Sequence, residues 1–122
     1  IFNDLLVDWD KEIVLVEGVF DAIAYGENAI PLLGSTLRDD SKLFHKIISN
    51  DTPVLMALDD DARDKSLKII KSLLTYDVEV RLMDTSGYKD IAEMPKAVLI
   101  SRAATAPFMN PTNYLMLKAS GL

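Results

Sequence analysis

The sequence predicts an α/β domain: a mainly parallel four-stranded sheet with helices on both faces, followed by a short C-terminal helical extension. Three observations predict it. Short apolar runs rich in β-branched residues alternate with amphipathic stretches between residues 13 and 83. Most of these runs are apolar at successive positions, as strands covered on both faces are. The stretches between them repeat at helical spacing, which supplies the crossovers that parallel strands need.

The first run, Ile13, Val14, Leu15 and Val16, is bounded by charges and reads as a buried strand. Residues 19–25 read as a helix stopped by Gly26 in a C-cap position. Residues 29–33 form a second apolar run whose Pro31 suits an edge strand. Residues 39–48 place Leu43, Phe44, Ile47 and Ile48 at helical spacing, with Asp39, Asp40 or Ser41 as N-cap. Pro53 then precedes a strand at 54–58. A helix at 62–74 follows, with Leu67, Ile70, Leu73 and Leu74 on one face and Lys65, Lys68 and Lys71 away from it. Residues 78–83 alternate, so they read as a strand near one edge of the sheet.

The two ends are read differently. Residues 1–10, with Phe2, Leu5 and Trp9, form a lead-in packing on the sheet, and residues 11–94 form the domain proper. Within 95–122, residues 96–104 look helical and residues 106–113, with Pro107 and Pro111, look like a linker or turn. Residues 114–117 read as a docking helix whose partner lies elsewhere. Because the chain opens on Ile1 rather than Met, it is expected to be one module of a longer protein, without a secretory leader.

Composition narrows the chemistry. Cysteine is absent, so disulfides and thiolate metal sites are excluded, which suits a cytoplasmic location. His45 is the single histidine and reads as an ordinary helix residue, so any metal is expected to be hard and held by oxygen. The net charge of −6 argues against a module that grips a nucleic-acid backbone unaided. It is compatible with meeting phosphates through divalent ions, which reverse the local sign. No apolar run approaches the ~20 residues of a membrane span, so no membrane partner is expected.

Ligands of parallel α/β sheets bind at the carboxyl ends of the strands. Two strands end there in acids: one in Glu17 and Gly18, the other in Asp59, Asp60 and Asp61. On an extended backbone Asp59 and Asp61 would point to one side. If the two strands are neighbours, Glu17 joins them. Like charges ~4 Å apart repel by about 4 kcal/mol at an effective dielectric of 20, so such a cluster calls for protons or a cation. Mg²⁺, with Mn²⁺ as substitute, fits an oxygen-only site. Taken singly, each acid could equally cap a helix or face solvent.

These residues resemble the Toprim domain shared by bacterial-type DNA primases, type IA and type II topoisomerases, OLD-family nucleases and RecR-type recombination proteins. Glu17, Gly18 and Asp21 are similar to the E-G-x-x-D signature, and Asp59-Asp60-Asp61 to the D-x-D element. Leu33 to Leu37 resembles the G-T-A-L stretch of primases, and Lys89-Asp90 their K-D segment. Residues 62–64 depart from the usual small residues after D-x-D, and Ile91-Ala92 replace the usual proline and second acid.

The resemblance implies a Rossmann-like Toprim fold and a primase-type nucleotidyltransferase that makes RNA primers in DNA replication, inactive as an isolated domain. It implies Glu17, Asp59 and Asp61 as catalytic and Mg²⁺-holding residues, with Asp21 and Asp90 as further metal acids. Lys89 and Arg63 are candidate phosphate contacts. The implied partners are a DNA template, nucleotide triphosphates, other domains of the parent chain and a replicative helicase. The same fold also serves nucleases and topoisomerases that cleave DNA, and non-catalytic RecR-like scaffolds.

Overall fold

The structure, a computed structural model, describes residues 6–120; Phe2 and Leu5 of the expected lead-in lie outside the described residues. Four strands form where the apolar runs predict them: β1 (Ile13–Val16), β2 (Ala29–Pro31), β3 (Val54–Met56) and β4 (Val80–Leu82). A fifth, β5 (Phe108–Met109), corrects the expected four-stranded sheet. The order is β2-β1-β3-β4-β5, parallel except for β5, which runs antiparallel to β4. Residues 106–113 therefore form more than a linker. Pro107 has no N–H to give, but its carbonyl accepts from Leu82 at 3.0 Å and starts the pairing.

Pro31 sits on the edge strand, where a missing N–H costs no ladder bond. The period-2 alternation of the strands divides the core into two layers. Ile13, Leu15, Val54 and Met56 face one side and pack with Phe44, Ile47, Ile70 and Leu73. Val14, Val16, Leu55 and Ala57 face the other and pack with Ala22, Ile91, Leu99 and Ala106. The first layer is covered by helices α2 (Lys42–Ser49), α3 (Arg63–Thr75) and α5 (Pro111–Ser120); the second by α1 (Val19–Tyr25) and α4 (Lys96–Thr105).

Ser41 is the N-cap of α2, its hydroxyl accepting from the Phe44 N–H at 3.1 Å. Ser41→Ala is expected to cost about 1 kcal/mol in urea unfolding through loss of that bond. The C-terminal helix has its partner within the chain: Tyr114 is buried in the α3 layer and Leu117 packs beside it. Residues 95–120 are thus built onto the sheet rather than appended to it. Trp9 packs on the same layer, and its carbonyl accepts from the Thr52 hydroxyl at 2.6 Å. Among the described residues no helix is long and apolar enough to cross a membrane.

Candidate metal centre

Glu17 follows β1 directly, and Asp59 lies three residues beyond the end of β3. These strands are neighbours, with Leu15 paired to Met56 and the Ala57 N–H donating to Leu15 at 2.9 Å. Continued by two residues, that register sets Glu17 beside Leu58, one position before Asp59. The chain leaves the sheet differently on each strand. After Glu17, Gly18 is extended at φ −129° and ψ 171°, a conformation open to any residue, so its glycine is not required for the turn. Gly34, in the turn after β2, does need its freedom, because its φ is +85°.

The acidic triplet departs from the extended geometry that alternation assumed. The Ala62 N–H donates to the Asp59 carbonyl at 2.8 Å, and residues 60–62 wind into a 3₁₀ turn that leads into α3. Asp60 and Asp61 are exposed on that turn, while Asp59 stays half-buried below it. Among the described residues, no three acids close into a ready-made cage for one ion. What the fold brings together instead is a pair. Glu17 Oε1 and Asp59 Oδ1 are both buried and lack any hydrogen-bond partner. A buried anionic oxygen without a donor is costly, so each points to something that would neutralise it.

Asp21 and Asp90 frame this pair. Asp21 is buried, and its two oxygens accept from the Gly18 N–H and the Ala92 N–H, each at 3.1 Å. It thereby tethers α1 to the 3₁₀ turn at Ile91–Glu93. Asp90 caps that turn, accepting from the Glu93 N–H at 3.0 Å. Asp59 feels the whole group. Burial first, then the charges of Asp21, Glu17, Asp90 and Asp61, push its carboxyl up to about 6.

Two further residues shape the centre, and one of them was assigned elsewhere from sequence. Lys65, expected on a solvated lysine face with Lys68 and Lys71, instead turns inward; its ammonium donates to Glu17 Oε2 at 3.2 Å, with both side chains about one-fifth exposed. On the helical wheel Lys65 stands closer to the buried face than Lys68 or Lys71, one turn before the buried Ile69, and its reach carries the ammonium to Glu17. Arg102 carried no sequence signal at all. Its guanidinium donates to the carbonyls of Asp84 and Ser86 at 3.0 and 2.7 Å and lies over the Tyr88 ring, fixing the loop that delivers Asp90. Asp84 is held ionised below the usual range by the hydroxyl and N–H of Ser86.

The two expected phosphate contacts fare differently. Arg63 is bound to the C-terminal end of α5, donating to the Leu117 carbonyl and, at 3.5 Å, to the Ser120 hydroxyl. That end carries the negative pole of the helix dipole, so its pull on a guanidinium is expected. Lys89 is exposed beside Asp90, with its backbone N–H on Glu93 at 3.3 Å. A cleft of about 290 Å³ opens next to Asp59, walled by Ser66, Leu67, Met83, Thr85 and Leu117. Asp59 and Asp60 therefore border this recess, which Arg63 also lines, while Glu17, Asp21, Asp61 and Asp90 lie outside its walls. No protein-family model matches the chain, and no curated protein matches it.

Proposed function

We propose that this chain is a Mg²⁺-dependent catalytic module of the Toprim type, acting on nucleic-acid phosphodiesters as the nucleotidyl-transfer unit of a DNA primase. The observation that carries the reading is the pair of partnerless buried oxygens, Glu17 Oε1 and Asp59 Oδ1, at the ends of adjacent parallel strands. The donor set fits the ion: Mg²⁺ is commonly held by one or two carboxylates, with waters and substrate phosphate completing its shell. Glu17 and Asp59 would hold it, and Asp61 on the exposed turn stands one turn residue away. When bound, the ion supplies charge neutralisation at a transferring phosphate.

The chain's own residues do the rest. Asp21 and Asp90 keep the surroundings anionic and rigid through their backbone bonds, and Glu17 offers the ion the oxygen that Lys65 does not occupy. The primase-like stretches Gly34-Ser35-Thr36-Leu37 and Lys89-Asp90 support the primase assignment over the nuclease and topoisomerase ones. A RecR-like scaffold, with these acids gripping a partner's basic side chains, draws support from the lysine already seated on Glu17.

Calorimetric titration with Mg²⁺ and Mn²⁺ separates catalysis from scaffolding. The expected result is saturable binding that weakens by about tenfold or more in Glu17→Gln. In the parent protein, Asp61→Ala is expected to stop primer synthesis while this domain keeps its circular dichroism. Absence of any cation binding rejects the reading.

A further inference from the structure

We infer that Lys65 is a built-in counter-ion that a divalent cation must displace from Glu17, which makes cation loading the step that frees this lysine at the rim of the centre. The inference rests on the metal-binding reading above and adds to it a regulation of the same site.

The argument starts from charge. Five carboxylates share one neighbourhood: Asp59 and the four that bear on it, Glu17, Asp21, Asp61 and Asp90. Among the described residues, Glu17 alone of the five has a cationic side chain within ion-pairing distance, and that side chain is Lys65. The pair is mostly shielded, each partner being about one-fifth exposed, so the ammonium neutralises Glu17 far better than a surface lysine would. Lys68 and Lys71, on the same helix, stay exposed.

The ammonium covers only one of the two Glu17 oxygens. It donates to Oε2, while Oε1 stays buried and bare, and so does Asp59 Oδ1 across the strand pair. A divalent ion entering at those bare oxygens would bring two positive charges close to the ammonium. Positive charges ~4 Å apart repel strongly at protein-like dielectric, so the two cations cannot share Glu17 without loss to both. Lysine suits such a role because its charge sits on a flexible stem that can swing away, whereas arginine would hold the carboxylate through a fork. The position matters too. Lys65 lies in the first turn of α3, just after the acidic turn at 60–62 and one residue before Ser66, which walls the cleft beside Asp59. Once released, its ammonium stands where an anionic ligand of the cleft would meet it.

A static ion pair that merely braces α3 against β1 makes the opposite demand. In that case the cation would bind alongside an unmoved lysine; removing that charge would still ease cation entry, so the titration tests the repulsion and the acylation of Lys65 tests its displacement. The test is titration of the 122-residue chain with Mn²⁺ and Mg²⁺, comparing wild type with Lys65→Met and Lys65→Arg. Competition predicts affinity about five- to tenfold tighter in Lys65→Met and unchanged or weaker in Lys65→Arg. Circular dichroism and urea unfolding show that each variant is folded at the temperature used.

An independent readout follows the lysine itself. Amine acylation mapped by mass spectrometry is expected to modify Lys65 slowly in the metal-free chain and several-fold faster with saturating Mg²⁺. Lys68 and Lys71 serve as internal references that should not change. Unchanged or weaker cation binding in folded Lys65→Met, or acylation of Lys65 indifferent to Mg²⁺, overturns the inference and leaves the metal site standing. Wild-type chain that binds no cation overturns both, and the two failures are told apart by that first titration. If Lys65→Met does not fold, the acylation contrast in wild type decides alone.

Discussion

Asp59→Asn is expected to lower divalent-cation affinity by more than the ~10–100-fold that loss of an outer-shell partner costs. In the metal-free chain the same change is expected to raise stability at neutral pH by about 1 kcal/mol. Both effects have one cause. Asp59 is pushed up to about 6 by burial and by the charges of Asp21, Glu17, Asp90 and Asp61, so its ionised form is disfavoured in the folded chain. A carboxylate unfolds to its ordinary value near 4, and between there and about 6 the folded state binds the extra proton. Stability of the metal-free chain therefore falls as pH rises through that window. The effect is expected to stay near ~1 kcal/mol because Asp59 is only half-buried and solvent screens part of its charge.

Asparagine removes the charge and with it the pH dependence. Urea unfolding in a chelator between pH 4 and 7 measures this directly. Wild type should lose stability across the interval, Asp59→Asn should hold nearly level, and saturating Mg²⁺ should restore wild type at pH 7. Among the described residues Lys65 is the one cation in ion-pairing distance of an acid of this cluster, and its single charge does not offset five carboxylates. A wild-type chain whose stability rises over the same interval would contradict the burial and crowding of Asp59.

The second large effect lies away from the centre. Arg81→Met is expected to destabilise the chain by about 2–3 kcal/mol, and Arg81→Lys by more than half as much. Arg81, on β4, grips both oxygens of Glu12 at 2.9 and 2.7 Å, reaching past β3 to the segment that begins β1. Its remaining nitrogen donates to the carbonyls of Ala103 and Ala106 at 2.8 and 3.3 Å, satisfying the end of α4. Both side chains are largely shielded, so removing the arginine strands a carboxylate and two carbonyls together.

Lysine keeps the charge but cannot offer the planar fork that meets two oxygens and two carbonyls at once. The midpoint of urea unfolding should drop by about 1–2 M with the slope unchanged. Cation affinity should stay within about threefold of wild type, since Glu12 and Arg81 stand at the opposite end of β1 from Glu17. A large loss of cation binding in folded Arg81→Met would mean that the two ends of the sheet are coupled.

Much of the architecture is legible in the residues because it depends on local periodicity. Four strands and the helices between them follow from runs such as Ile13 to Val16 and from the spacing of Leu67, Ile70 and Leu73. Pro31 announces the edge strand and Gly26 ends α1, its N–H donating to Ala22 at 3.0 Å. The fifth strand escaped because two residues between prolines carry no period, and it exists only through pairing with β4. Likewise, Tyr114 and Leu117 show an apolar face without saying that α3 is what they cover.

The sequence alone determined which acids stand at strand ends, since that needs only the apolar runs and the residues that follow them. It did not determine which acids act together. The tertiary structure decided that Glu17 and Asp59 form the partnerless pair, that Asp61 leaves on a 3₁₀ turn, that Asp21 and Asp90 are spent on backbone N–H groups, and that Lys65 faces inward. The physical reason is range. Strand and helix propensities act over a few residues, whereas partnering of a charge depends on side chains tens of positions apart, brought to hydrogen-bonding distance only when β1, β3 and α3 pack.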